Sequence, residues 1–373
     1  MARVTISKRD ERATGTGADD PGSALRPPRV QARRRASTPD GIVIVIAAAI
    51  IIMAIFLFEI SSYFAIRPGP APDVTQLIEI TGTKTKPVTG HLLLTTVSLQ
   101  KITVAEAVRS WFDPNYEILP RSALVPPGGT DEDAQRETMA QMNESQEHAA
   151  AAALSFLGYD VKITSIGTRV VELSAGAPAE TVLRRNDVIV GADESPIHKG
   201  EELRAVLARH KVGDTVVLKI RRGSSDVTVR TKTIGDPQDP TRAIIGVGLI
   251  DVPRVTLPLA VDIESLGIGG PSAGLMYALG IVELLDSTDM TKGRTIAGTG
   301  AIELNGVVQQ VGGVRQKVVA ARGAGAELFI VPLAELKEAC VRAGDMPVVG
   351  VQNLMDAVAT LRGAKVPAAR TCG

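Results

Sequence analysis

The sequence predicts an α+β protein with a single N-terminal transmembrane helix, a β-rich module and a final α/β domain. Three observations carry that reading. Residues 41–58 run without a charge or a proline. Between Val161 and Ile234, short β-branched runs and turn residues surround one helix-like stretch. From Ile244 to Leu361, strand-like and helix-like runs alternate, the pattern of a sheet covered by helices. The 373 residues are 45% apolar, enough for two or three cores and incompatible with a wholly disordered chain.

Lysine plus arginine and aspartate plus glutamate stand at 41 each, so no net charge attracts nucleic acid. With 3% aromatic residues and one tryptophan, bases would also find few stacking platforms, and no nucleic-acid partner is expected. The balance is uneven. Nine basic and five acidic side chains precede Gly41, leaving the rest of the chain slightly acidic. Cys340 and Cys372 are too few for a disulfide framework and do not reveal the redox compartment.

Residues 1–40, rich in Pro, Arg, Ser and Gly, lack apolar periodicity and read as a disordered cytoplasmic tail. The uncharged run from Gly41 to Phe58 would rise about 27 Å as a helix, close to one hydrocarbon thickness. Tyr63 and Phe64 follow at interface depth, and Arg33, Arg34 and Arg35 precede it. A helix over 41–64 would therefore leave the N-terminus in the cytoplasm and everything after Ile66 outside it. A cleaved signal peptide fits less well, because the run is preceded by about 40 residues and followed by no A-x-A site. A buried soluble helix rarely holds more than about 14 uncharged residues in a row.

Residues 65–145 form a linker and an N-terminal part that packs with the last domain. Arg67–Asp73 (RPGPAPD) is a stiff spacer, His91–Val97 a strand and Val104–Phe112 a short helix. After a Pro/Gly-rich loop, a helix is expected from about Ala134 to Leu157, with Gly158 as its C′ residue. The β-rich module is placed at 146–236, with one helix over Glu201–His210, and the final domain at 240–366.

Gly176–Ile197 (GAPAETVLRRNDVIVGADESPI) resembles the stretch of bacterial PDZ domains in which a Pro-Ala turn leads to a buried Asp-Val-Ile strand. The resemblance implies capture of an extended peptide by strand addition beside the Glu201–His210 helix. Phe156-Leu157-Gly158-Tyr159 superficially resembles the carboxylate-binding loop of such domains, but it continues an alanine-rich helix, and the groove residues stay unassigned.

The chemistry points to Gly267–Leu285 (GIGGPSAGLMYALGIVELL). Ser272 stands at the entrance of an apolar helix between small neighbours that leave room for a carbonyl. Unpaired N–H groups at a helix start can stabilise the charge that develops in acyl transfer. A plain N-cap serine is the competing reading. A nucleophilic serine needs a base, and the four histidines, His91, His148, His198 and His210, all precede residue 240. A Ser-His-Asp triad within this domain is excluded. A lysine with its pKa lowered by burial can serve instead, and the domain offers Lys292, Lys317, Lys337 and Lys365. Lys317 faces Gly313, Val314, Ala320 and Ala321, a desolvating surface. Lys337, beside Leu333, Leu336 and Cys340, is not excluded by that test.

GGPSAGLM around Ser272, followed by TGAIELNGVVQQVGGVRQKVVAARGAGAELFIVP over Thr299–Pro332, resembles the proteolytic domain of the Lon family. The resemblance puts the nucleophile on Ser272, the catalytic lysine on Lys317 and the threonine that hydrogen-bonds it on Thr299. With the PDZ-like module and one anchor, the whole chain resembles the membrane-anchored, PDZ-containing Lon-like serine proteases of bacteria, in which the segment from about Val74 to Gln100 belongs with the protease domain. It also points to a homo-oligomeric ring. Ile268-Gly269-Gly270 and Ala301 depart from the typical Lon pattern, which bears on substrate-loop geometry. No G-x-x-x-x-G-K-[ST] occurs, so no P-loop ATPase is expected, and no H-E-x-x-H supports metal hydrolysis. No cofactor or metal is therefore expected. The expectation is an ATP-independent serine endopeptidase acting on extracytoplasmic proteins or peptides. The alternative is a catalytically silent PDZ scaffold of the cell envelope.

Overall fold

The computed structural model describes residues 39–57, 59–110, 112–113, 115–125, 128–364 and 370–372; residues 1–38 of the tail expected over 1–40, and Lys365, lie outside them. The chain divides into Met1–Ile55 and Phe56–Gly373. Helix α1 (Pro39–Leu57), which belongs to the first unit up to Ile55, carries exposed Ile42–Ile46 and Ile50–Met53. Among the described residues no helix is long and apolar enough to cross a membrane. The helix expected over 41–64 is shorter. Glu59–Pro68 is a strand instead, paired antiparallel with Val97–Thr103 and Glu117–Pro120. Tyr63 and Phe64 sit in that sheet because pairing with distant strands satisfies their backbone, a constraint that local hydropathy does not register.

Helix α2 (Val104–Ser110) is followed by the long helix α3 (Asp131–Phe156). α3 starts three residues before the expected Ala134, because Thr130 and Asp133 form a reciprocal capping box. Its second half, Ala149–Leu154, is buried, and Ala149, Ala150, Ala152 and Ala153 share a core with the final domain.

The β-rich module is a twisted antiparallel sheet in the order 225–232, 215–222, 188–192, 162–173, 247–256, covered by α4 (Gly200–Leu207). Leu203, Val206 and Leu207 close its core over Val216, Leu218 and Ile220. The module was expected over 146–236. Residues 146–156 pack with the final domain, and Val247–Thr256 adds an edge strand.

The final domain is built on parallel strands 91–94, 295–298, 328–332 and 348–351, with Arg370–Thr371 antiparallel at the end. Strand period decides its layers. Leu92, Leu94, Ile296, Leu328 and Ile330 face a core shared by α3, α5 (Gly274–Leu285) and α8 (Leu354–Arg362). Leu93, Ala297, Phe329 and Val331 face the other side, against α6 (Val314–Gly323) and α7 (Leu336–Ala343). α5 is buried from Gly274 to Leu284, which explains why its sequence is apolar all round apart from Glu283.

Candidate active site

Ser272, Thr299 and Lys317 come from three elements that the sheet brings together. Thr299 directly follows strand 295–298, where α/β sheets place their functional crevice. Ser272 lies in a single 3₁₀ turn (Pro271–Ala273) leading into α5, and is half-buried. Gly274 allows this approach: a Cβ there would lie 2.7 Å from the Ser145 Oγ and 2.9 Å from the Ile302 side chain. Lys317 stands in the first turn of α6, only 2% exposed.

The Lys317 Nζ donates to the Thr299 Oγ1 at 3.1 Å. The Thr299 hydroxyl in turn donates to the Ser272 carbonyl oxygen at 3.1 Å, and the Gly300 N–H reaches the same oxygen at 2.9 Å. Lysine, threonine and serine backbone thus form one connected unit. Burial lowers the Lys317 pKa from the ordinary 10.5 to about 8, against a smaller opposing effect of the Glu335 carboxylate. An ammonium that has lost its water shell and gained one neutral partner is poorly solvated, so its neutral form gains weight.

Lys292 and Lys337 lack these features. Lys337 is exposed, and Lys292 is exposed and donates to the Arg362 carbonyl at 3.2 Å. The histidines are engaged elsewhere: His91 with Asp73 and His210 with Asp193, each at 2.8 Å, His198 with Glu202, and His148 with the Ile302 carbonyl. No group of residues suited to holding a metal ion occurs among the described residues.

Glu335 was not visible from the sequence. One of its carboxylate oxygens accepts from the Val311 N–H at 2.9 Å, and the other is buried with no partner among the described residues. Burial raises its pKa. In VPLAEL it reads as an ordinary surface glutamate after a strand, and only the packing of α7 against α6 brings it near Lys317.

A second candidate site lies in the β-rich module. Phe156-Leu157-Gly158-Tyr159 simply ends α3, with Leu157 as its C-cap. A cavity of about 360 Å³ opens instead between α4 and the start of the edge strand, lined by Leu203, Leu207, Ile245, Val247, Leu249 and Arg204. Gly246 turns the chain there at φ +71°, and a Cβ would approach that of Ala177 to 2.9 Å. The glycine alternation in Ile245-Gly246-Val247-Gly248-Leu249 was the available signal, but it falls after the linker assigned as the end of the module.

Residues 155–233 match the family model of the PDZ domain, and residues 263–352 that of the Lon protease (S16) C-terminal proteolytic domain. The chain thus carries a PDZ domain and a Lon-type proteolytic domain, and the second match spans Ser272, Thr299 and Lys317. Lon protease 2 of Bacillus subtilis is 43% identical over 65 residues, 17% of this chain and 11% of that protein. A Lon protease of Methanosphaera stadtmanae is 29% identical over 121 residues, 31% of this chain and 14% of that protein. The matched part therefore spans less than a sixth of either relative. The PDZ domain of the SdrC-like protein from Listeria monocytogenes is 27% identical, covering 24% of this chain and 93% of that one, with a TM-score of 0.22.

Proposed function

We propose that this protein is an ATP-independent serine endopeptidase in which Ser272 is the nucleophile, Lys317 the general base and Thr299 the residue that orients the lysine. The observation that carries the proposal is the buried Lys317 amine, hydrogen-bonded to Thr299, which itself holds the Ser272 carbonyl. As the Ser272 Oγ bonds to the substrate carbonyl carbon, its proton passes to the neutral Lys317 Nζ. That proton then goes to the leaving amine as the C–N bond breaks, and water releases the acyl group by the same steps. No P-loop occurs in the sequence, so selection of substrate falls to the PDZ domain, whose cavity suits an extended peptide added to strand 247–256.

The proposed setting is a single-pass anchor with the N-terminus cytoplasmic and the protease outside the cytoplasm. It rests on the uncharged run 41–58 and the basic residues before it. The Cys340–Cys372 disulfide between α7 and the chain end supports an oxidising compartment.

The test is labelling with a fluorophosphonate serine probe together with fluorogenic peptide cleavage. Wild type should label and cleave, and Ser272→Ala should do neither. A wild type that binds peptides through its PDZ domain but neither labels nor cleaves would be the silent scaffold.

A further inference from the structure

The Lon-type match begins at residue 263, yet the turn that carries Ser272 is held from behind by α3, over 100 residues earlier. Thr138 and Ser145 lie two helical turns apart on one face of α3. The Thr138 carbonyl accepts from the Gly270 N–H at 2.7 Å. Helix and turn are so close there that a Cβ on Gly269 would lie 2.9 Å from the Thr138 Oγ1. The Ser145 hydroxyl, on a residue 3% exposed, donates to the Pro271 carbonyl at 2.9 Å. Further along, the Gln146 side chain donates to the Ile263 carbonyl at 3.1 Å.

A trans peptide is planar, so its carbonyl and N–H point in opposite directions. No peptide bond described here is cis. Fixing the Pro271 carbonyl against α3 therefore turns the Ser272 N–H away from α3. The following peptide unit is fixed through the Ser272 carbonyl by Thr299 and Gly300. The backbone on both sides of Ser272 is thus gripped, from one side by the protease sheet and from the other by a helix outside the matched domain.

We infer that Ser145 is a positioning residue which, through the Pro271–Ser272 peptide, aims the Ser272 N–H at the oxygen that becomes negatively charged when substrate is attacked. The inference rests on Ser272 being the nucleophile. It assigns α3 a part in acyl transfer beyond joining two domains. A donor held in place before the reaction needs no reorganisation as charge develops, and misaiming it costs rate rather than ground-state binding.

The experiment uses the full-length chain in detergent, with Ser145→Ala and Ser145→Cys beside wild type. The readouts are kcat and KM on a short unstructured peptide, the pH at half-maximal rate, and affinity for a peptidyl boronate, whose tetrahedral adduct places an oxygen where the oxyanion forms. Ser145→Ala should lose about tenfold in kcat and a similar factor in boronate affinity, with KM and the pH midpoint unchanged. Ser145→Cys, a weaker donor of similar size, should fall between. Unchanged kcat and boronate affinity in Ser145→Ala would overturn the inference. So would a loss confined to KM or a moved pH midpoint, which would point to substrate binding or to Lys317. A wild type that forms no boronate adduct would defeat the serine-protease reading itself, whereas an adduct equally tight in wild type and Ser145→Ala defeats the role of Ser145 alone.

Discussion

The pH dependence of peptide cleavage offers a quantitative test, because the role given to Lys317 requires its neutral form. Its side chain is 2% exposed, donates to Thr299 at 3.1 Å and has its pKa lowered by burial from 10.5 to about 8. With a midpoint near 8, about 9% of the free enzyme carries a neutral amine at pH 7 and about 91% at pH 9, so kcat/KM rises about tenfold between them and then levels. An ordinary lysine at about 10.4 would give a rise close to a hundredfold over the same interval, with no plateau. The assay is initial-rate cleavage of a peptide without titratable groups, at concentrations well below KM from pH 6 to 10. Glu335→Gln adds an internal control: the Glu335 carboxylate opposes the fall in the Lys317 pKa, so its removal should move the midpoint below that of wild type. A rate independent of pH from 6 to 9, or one still rising a hundredfold by pH 9, would refute Lys317 as a desolvated base.

Lys317→Met should abolish cleavage yet stabilise the fold at pH 7. The unfolded lysine keeps its proton to about pH 10.4, the native one only to about 8, so wild-type stability rises with pH between these values and the penalty is complete below about 8. The gain should reach up to about 3 kcal/mol at pH 7 and vanish near pH 10.5; calorimetry of the protease-domain transition at both pH values measures it, and an equal or lower transition at pH 7 would contradict the burial argument. Leu249→Asp, at a half-buried position lining the α4 cavity, should weaken binding of an apolar peptide C-terminus by more than tenfold in calorimetric titration, and leave cleavage of a short peptide unchanged; equal loss of both would make the PDZ domain a structural support of the protease.

Much of the candidate site was legible in the linear order of residues. Ser272 and Lys317 were marked locally, by small neighbours at a helix entrance and by an apolar helix face, whereas Thr299 was reached only through the resemblance of Thr299–Pro332 to Lon proteolytic domains. The alternation of Leu92, Leu93 and Leu94, or of Ile296 and Ala297, likewise reflects strand period. Face analysis left Lys337 beside Lys317, and the Lon resemblance put the base on Lys317. Both border apolar neighbours in sequence, and only the docking of α6 on the sheet buries one and leaves the other in solvent.

The parts that the sequence left unread depend on contacts between distant segments. Glu335 approaches Lys317 through packing of α7 on α6, and Ser145 meets Pro271 across 126 residues. The groove in the PDZ domain needs strand 247–256 to return to the module beside 162–173, after a linker had marked the module's apparent end. Glu59–Pro68 became a strand rather than a continuation of α1 because two remote strands pair with it. Periodicity and turn chemistry are properties of neighbours along the chain and are therefore written in the sequence. Desolvation of an amine, the aim of a peptide unit and the free edge of a sheet are properties of neighbours in space, and they exist only once the chain has closed on itself.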